Sequence, residues 1–209
     1  RDRAHAAHSR HTEQVNPNNW AELLGRAGVR LGRADPRTAP LGFQTLQVWR
    51  LAEQNLNLPG LGEKLKQQCR PEHEVPDIAE LVSLLQARAI DYAFVFRSIA
   101  EEHHLKITPV PDNINLSNPA LAGQYAKVSV PVRLKSGKQA IALQAEAVDY
   151  GLTVPKHAPC PACGEALAGF LLGPDGRAVH KRFGFVNIRP ELHGQAELIP
   201  TSLRALVQQ

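Results

Sequence analysis

The stretch Pro76 to Arg97, PDIAELVSLLQARAIDYAFVFR, constrains the fold of this chain more than any other. Its leucines at 81, 84 and 85 give a helix one apolar side, and the chain then enters Ile90-Asp91-Tyr92-Ala93-Phe94-Val95-Phe96. That near-continuous apolar run predicts a strand buried on both faces, half of a parallel α/β unit. Parallel sheets place ligands beyond the carboxyl ends of their strands, so the tip near Phe96 and Arg97 is the first candidate for a binding position.

A second unit precedes it. Gly28 to Arg33 reads as a short strand and Asp35 to Pro40 as a proline-punctuated loop. From Gly42 a helix is expected to about Asn57, ending at Pro59-Gly60. At such a helix start the Leu41 and Gly42 N–H groups are positioned to bind an anion without any charged side chain. Asp77 and Glu80 have the spacing of a capping box, and a carboxylate at that helix start competes with an anionic ligand.

The remaining chain reads as lighter structure. A short helix is expected from Trp20 to Arg26, a turn at Gly60-Leu61-Gly62, and a polar surface connection around Cys69. Ser98 to His104 suggests a helix and Leu105 to Val110 a strand. Tyr125 to Leu134 alternates as a strand that turns at Ser136-Gly137-Lys138, with an antiparallel partner in the run Ala140 to Val154. Two helices, Glu165 to Leu172 and Asp175 to Phe183, are joined by Gly173-Pro174, and a last short helix closes the chain before Val207.

Composition narrows the function classes. A formal net charge of +4 with 24 scattered Lys and Arg and 5% aromatic residues suits a surface that attracts small anions better than a nucleic-acid interface. No apolar run approaches the roughly 20 residues that span a bilayer. The chain starts at Arg1 and contains no methionine, so its natural start is expected outside this sequence, through a removed signal peptide or a longer N-terminal segment. His5, His8 and His11 are spaced for a metal only if an uncapped segment were helical, and adjacent His103 and His104 point apart on a helix. Cys160, Cys163 and His157 lack a fourth zinc ligand, which leaves a local disulfide, a redox pair or two idle thiols. Asn115-Leu116-Ser117 matches a glycosylation acceptor by a pattern too short to carry weight. No nucleophile elbow, phosphate loop or complete metal set points to an enzyme.

Several segments in order, GRADP at Gly32, LVSLLQARAIDYAFVFRSIA at Leu81, NINLSNP at Asn113, YAKVSV at Tyr125, YGLTVPK at Tyr150 and FLLGPDG at Phe170, resemble the tungstate/molybdate-binding proteins of ABC transporters. The similarity runs from about Ser9 to Val207. It implies an α/β periplasmic-binding-protein-like fold of type II, with an N-terminal tail or crossover over 1–15, a complete second lobe over 16–148, and over 149–209 a crossover with the C-terminal helices of the first lobe. The family's opening segment has no counterpart here.

The resemblance further implies a periplasmic or extracytoplasmic, monomeric receptor that holds molybdate or tungstate without a cofactor and delivers it to an ABC permease in the inner membrane. Its ligand positions map to Ala39, Leu41, Gly42, Ile78 and Phe96. Relatives carry an aspartate where this chain has Ala39, the tungstate-type members a glutamate at Ile78, and many a tyrosine at Phe96, so three polar contributions have become apolar. Those changes raise an alternative, a degenerate or truncated lobe repurposed for a protein partner or another small ligand.

Overall fold

The computed structural model of the protein describes residues 15–133, 137 and 139–207. The histidines at 5, 8 and 11, Leu134, and Ser136 and Lys138 of the expected turn lie outside the described residues. The chain packs as two compact units. One holds the described residues up to Phe96 together with Lys106–Asp149, and the other holds Arg97–Leu105 with the segment from Tyr150 onward.

In the first unit, α1 (Trp20–Leu24) leads to β1 (Leu31–Ala34), α2 (Pro40–Asn55), α3 (Leu61–Gln68), β2 (Glu74–Val75), α4 (Ile78–Gln86) and β3 (Tyr92–Ala93). The strands form a parallel sheet in the order β2-β1-β3, with Arg33 opposite Glu74 and Leu31 opposite Tyr92. Both α/β units expected from the sequence are therefore present. All four residues of β1 are buried, as a central strand covered on both faces requires.

Alternation along β1 sorts its side chains between two cores. Leu31 joins Trp20, Leu23, Trp49, Leu51 and Leu65 on one face, where Trp20 and Trp49 meet the Phe94 ring edge-on at centroid distances of 5.6 and 5.9 Å. Ala34 joins Leu41, Val75, Leu81 and Ile90 on the other. A Cβ added at Gly32 would lie 2.4 Å from Ile90 Cδ1 and 3.1 Å from Leu81 Cδ1 of α4.

Four expectations from the sequence fail. The strand expected over 90–96 shortens to Tyr92–Ala93, and from Tyr92 to Phe96 it is half-buried, because β3 is an edge strand. Residues 105–110 run without a ladder partner. Leu61 opens a helix directly after the Gly60 turn, burying Leu61 and Leu65 in an otherwise polar sequence. The connection holding Cys69 is not a plain surface loop: Cys69 is half-buried, burial pushes its thiol up from the ordinary value, and Glu74–Val75 forms the missed strand β2.

After β3 come α5 (Arg97–Glu102), α6 (Asp112–Asn115), α7 (Ala122–Tyr125), and the antiparallel pair β4 (Ser129–Val132) and β5 (Ile141–Gln144). The antiparallel pairing holds, with Val130 and Val132 buried and their neighbours exposed, but the strand expected from Tyr125 is shorter: Tyr125 ends α7 and the ladder begins at Ser129. Tyr125 is fully buried; its hydroxyl donates to the Asp112 carbonyl and accepts from the Asn118 N–H, and burial raises its pKa. In the second unit, α8 (Pro161–Leu172), α9 (Pro174–Arg182) and α10 (Thr201–Val207) follow, and Cys160 and Cys163 form a disulfide at the start of α8. The two thiols are thus bonded to each other and not idle.

Glu53 on α2 accepts from the Gly60 N–H at 2.7 Å and pairs with Arg50 at 3.0 Å, so it ties α2 to the start of α3. The Gly60 N–H, with the Arg50 guanidinium, holds the Glu53 carboxyl below its ordinary value against the opposing effect of burial. A carboxyl depressed in the folded state stabilises above its unfolded pKa and loses that contribution as pH falls through the folded one. Glu53→Gln is therefore expected to lower the urea midpoint at pH 7, and the gap from the parent protein should close as pH falls below about 4.

Gly42 presents a steric constraint. An added Cβ would lie 2.5 Å from the Asp35 carbonyl carbon and the Pro36 nitrogen, and 2.6 Å from the Ala34 oxygen. These are backbone atoms and cannot swing aside. Gly42→Ala is expected to cost about 1–3 kcal/mol in urea unfolding through overpacking, whereas Gly123→Ala, with nothing within 4 Å of its Cβ, should cost nothing measurable.

Candidate functional site

At the carboxyl ends of β1 and β2 two loops are laced together. The Asp35 N–H donates to the Val75 carbonyl at 2.7 Å, and the Thr38 hydroxyl donates to the Pro76 carbonyl at 2.8 Å. Within the first loop the Asp35 carbonyl accepts from the Thr38 and Ala39 N–H groups. The buried Asp35 carboxylate accepts from the Arg37 N–H at 2.8 Å and from its guanidinium at 2.8 to 3.0 Å. That contact also raises the Arg37 pKa.

Glu74 stands between two cations. Its carboxylate accepts from Arg33 Nη2 and lies 3.8 Å from Arg37 Nη2. Arg33 is buried, its guanidinium sits 5.9 Å from the centroid of the Trp49 ring, and among the described residues its Nε and Nη1 find no hydrogen-bond partner. At the opposite end of β1 the Asp91 carboxylate accepts from the Arg30 N–H and, in a two-pronged contact, from its guanidinium, which raises the Arg30 pKa. These arginines hold strands and loops in place.

The helix starts carry the other donors. Ala39 precedes α2 in extended conformation and provides no side-chain cap, Pro40 has no N–H, and the Gly42 N–H turns inward to the Ala39 carbonyl at 3.0 Å. Of the two donors weighed from sequence in this turn, the Gly42 N–H is thus already engaged within the helix start. At α4 the expected cap is present: Asp77 accepts from the Glu80 N–H at 2.8 Å, ahead of which stand the N–H groups of Ile78 and Ala79.

The structure brings the five sequence-derived positions together. Ala39 and Leu41 are buried in one apolar cluster with Val75, Leu81 and Ile90; Ile78 and Phe96, both half-buried, pack against that cluster. Gly42 lies one residue beyond Leu41 on α2 and is buried. The starts of α2 and α4 and the end of the β3 segment thus meet at one apolar cluster. Sequence reasoning missed the lacing by Asp35, Arg37, Thr38 and Glu74. The signal was present in the polar run Arg33-Ala34-Asp35-Pro36-Arg37-Thr38, whose alternating charges sit at a strand-to-helix turn. Arg97, at the tip singled out from sequence, lies 3.5 Å from Glu101 in an exposed ion pair along α5.

Comparison with known proteins adds to this geometry. Residues 4–186 match the family described as bacterial extracellular solute-binding protein. The chain belongs to that family. A solute-binding protein of Petrotoga mobilis is 33% identical over 94% of this chain and 61% of its own length. Another, of Methanoculleus marisnigri, is 30% identical over 96% of this chain and 62% of its own. The molybdate/tungstate-binding protein WtpA of Thermococcus kodakarensis is 29% identical over 88% of this chain and 59% of its own. The chain thus spans about three-fifths of the length of these relatives. Among the described residues no helix is long and apolar enough to cross a membrane, and no group of three or more His, Cys, Asp or Glu is placed to hold a metal ion.

The Asp77 cap gives a direct check on the α4 start. Asp77→Ala removes the acceptor of the Glu80 N–H and is expected to cost about 1 kcal/mol, read as a lower urea midpoint with an unchanged m value.

Proposed function

We propose that this chain is the binding part of an extracytoplasmic receptor for a tetrahedral oxyanion, molybdate or tungstate, that feeds an ABC permease in the inner membrane. In this reading the fold is the type II periplasmic-binding arrangement, with the second lobe over about 16–148 and the return to the first lobe over 149–209. Ala39, Leu41, Gly42, Ile78 and Phe96 line the ligand position, and no cofactor or catalytic step is involved.

The observation that supports it most is the meeting of the α2 and α4 starts over one apolar cluster, with the Leu41 and Ile78 N–H groups in their first turns. Main-chain donors and the positive ends of two helices attract an oxyanion regardless of side-chain type. The name of the Thermococcus kodakarensis relative supplies the ligand class. Three absent polar side chains, at about 1–3 kcal/mol each, weaken binding by roughly a hundredfold or more against a site that retains them.

The apolar character of Ala39, Ile78 and Phe96 also favours a second reading, a lobe adapted to a less polar ligand or to a protein partner. Titration calorimetry separates the two. Heat on adding molybdate or tungstate, stronger in Asp77→Ala because a competing carboxylate is gone, is the expected result for the receptor. Absence of both heat and thermal shift at millimolar oxyanion rejects it in favour of the second reading.

A further inference from the structure

The pair Cys160-Pro161-Ala162-Cys163 has no part in the proposed oxyanion position, and its place on α8 gives it a chemistry of its own. Cys160 is the N-cap of this twelve-residue helix, and its Sγ accepts from the Cys163 N–H at 3.3 Å. Pro161, at the first helical position, has no N–H to contribute. The Cys160 sulfur therefore lies at the positive end of the helix and receives a main-chain donor of its first turn. Both effects favour a thiolate over a thiol, and a sulfur stabilised in that form is the better leaving group in thiol–disulfide exchange.

Two further observations separate this bond from one that only braces the fold. Both cysteines are exposed, so an external sulfur reaches them without unfolding of the chain. The bond also closes a loop whose ends are only three positions apart. Stabilisation by a cross-link grows with the length of the loop it closes, so a loop this short gains the least. The first turn of α8 has supports besides the disulfide. The Gly164 N–H donates to the Cys160 carbonyl at 3.1 Å, and a Cβ added at Gly164 would lie 2.7 Å from Val154 Cγ1, so the helix start is packed closely on that segment. Opening the bond leaves the two sulfurs side by side and able to close again.

We infer that Cys160 and Cys163 form a reversible exchange site for an external thiol–disulfide couple, with Cys160 as the reacting sulfur and Cys163 as the resolving one. In reduction, a thiolate of the couple attacks Cys160 Sγ; a mixed disulfide forms, the Cys160–Cys163 bond breaks, and Cys163 leaves as a thiolate that takes a proton from water. A second external thiolate then attacks the outer sulfur of the mixed disulfide and releases Cys160 as the stabilised thiolate. The protein has gained two electrons and one proton, and the couple has become its disulfide. Reoxidation runs the same steps backward, beginning with attack of the Cys160 thiolate on an external disulfide. Neither cysteine belongs to the positions proposed to hold the oxyanion, so the exchange holds or fails whatever solute is bound.

The probe is the glutathione couple. The folded chain is equilibrated in buffers of graded reduced-to-oxidised glutathione ratio, alkylated, and read peptide by peptide by mass spectrometry, which resolves the half-buried Cys69 from the pair. Expected are opening of the bond in millimolar reduced glutathione without urea, its return on adding oxidised glutathione, and a cooperative thermal transition that survives reduction. A pair that stays oxidised until urea is added, or a transition lost on reduction, marks a structural brace and overturns the inference. Cys163→Ser and Cys160→Ser each leave one thiol of the pair. Iodoacetamide at fixed pH should alkylate Cys160 in the first at least tenfold faster than Cys163 in the second. Equal rates overturn the assignment of Cys160 as the reacting sulfur.

Discussion

The first unit depends on burying β1 on both faces while its following loop turns directly into α2. Parallel pairing on each side of β1 satisfies its backbone, and the Asp35 N–H extends that pairing one residue past the strand to the Val75 carbonyl. The turn into α2 is so tight that Gly42 rests against the backbone of Ala34, Asp35 and Pro36. Any side chain there would force the helix start away from the sheet, and the α2 donors would move with it.

Charge in this region is spent mainly on architecture. Asp35 and Glu74 engage Arg37 and Arg33, and Asp91 engages Arg30, so the strand ends are fixed by partly buried ion pairs. Such pairs are weak evidence for stability, because desolvation offsets much of the attraction, but removing one partner leaves an uncompensated charge. Their contribution here is positional. They set the loops that carry Ala39 and Leu41 against the loop that leads into Ile78. The side chains at the meeting point are apolar, so the polar groups there are those of the main chain. Belonging to a solute-binding family and having few polar side chains at this point are compatible, since a helix start offers N–H donors whatever residues occupy it.

The second unit is organised differently. Its helices share one covered side, with Leu203 of α10 and Ala168 of α8 buried. The Cys160–Cys163 disulfide closes the start of α8, and the Cys163 N–H donates to Cys160 Sγ at 3.3 Å, so both contacts hold the first turn.

Local pattern alone determined the two α/β units, the Asp77 cap, the β4–β5 hairpin and the α8–α9 pair, because each is written in residues a few positions apart. Apolar periodicity, a capping spacing and a Gly-Pro break all act within one or two turns of chain. Tertiary structure decided what depends on distant partners. Strand β2 exists because Glu74 and Val75 lie beside Arg33 and Ala34, some forty positions earlier, although their own neighbourhood is polar. Residues 94–96 leave the ladder because β3 is an edge strand, although their apolar run suited a longer central one. Whether five residues spread from 39 to 96 share one surface was likewise beyond any local pattern, since that requires two loops joined by Thr38 and Asp35 to the main chain of residues 75 and 76.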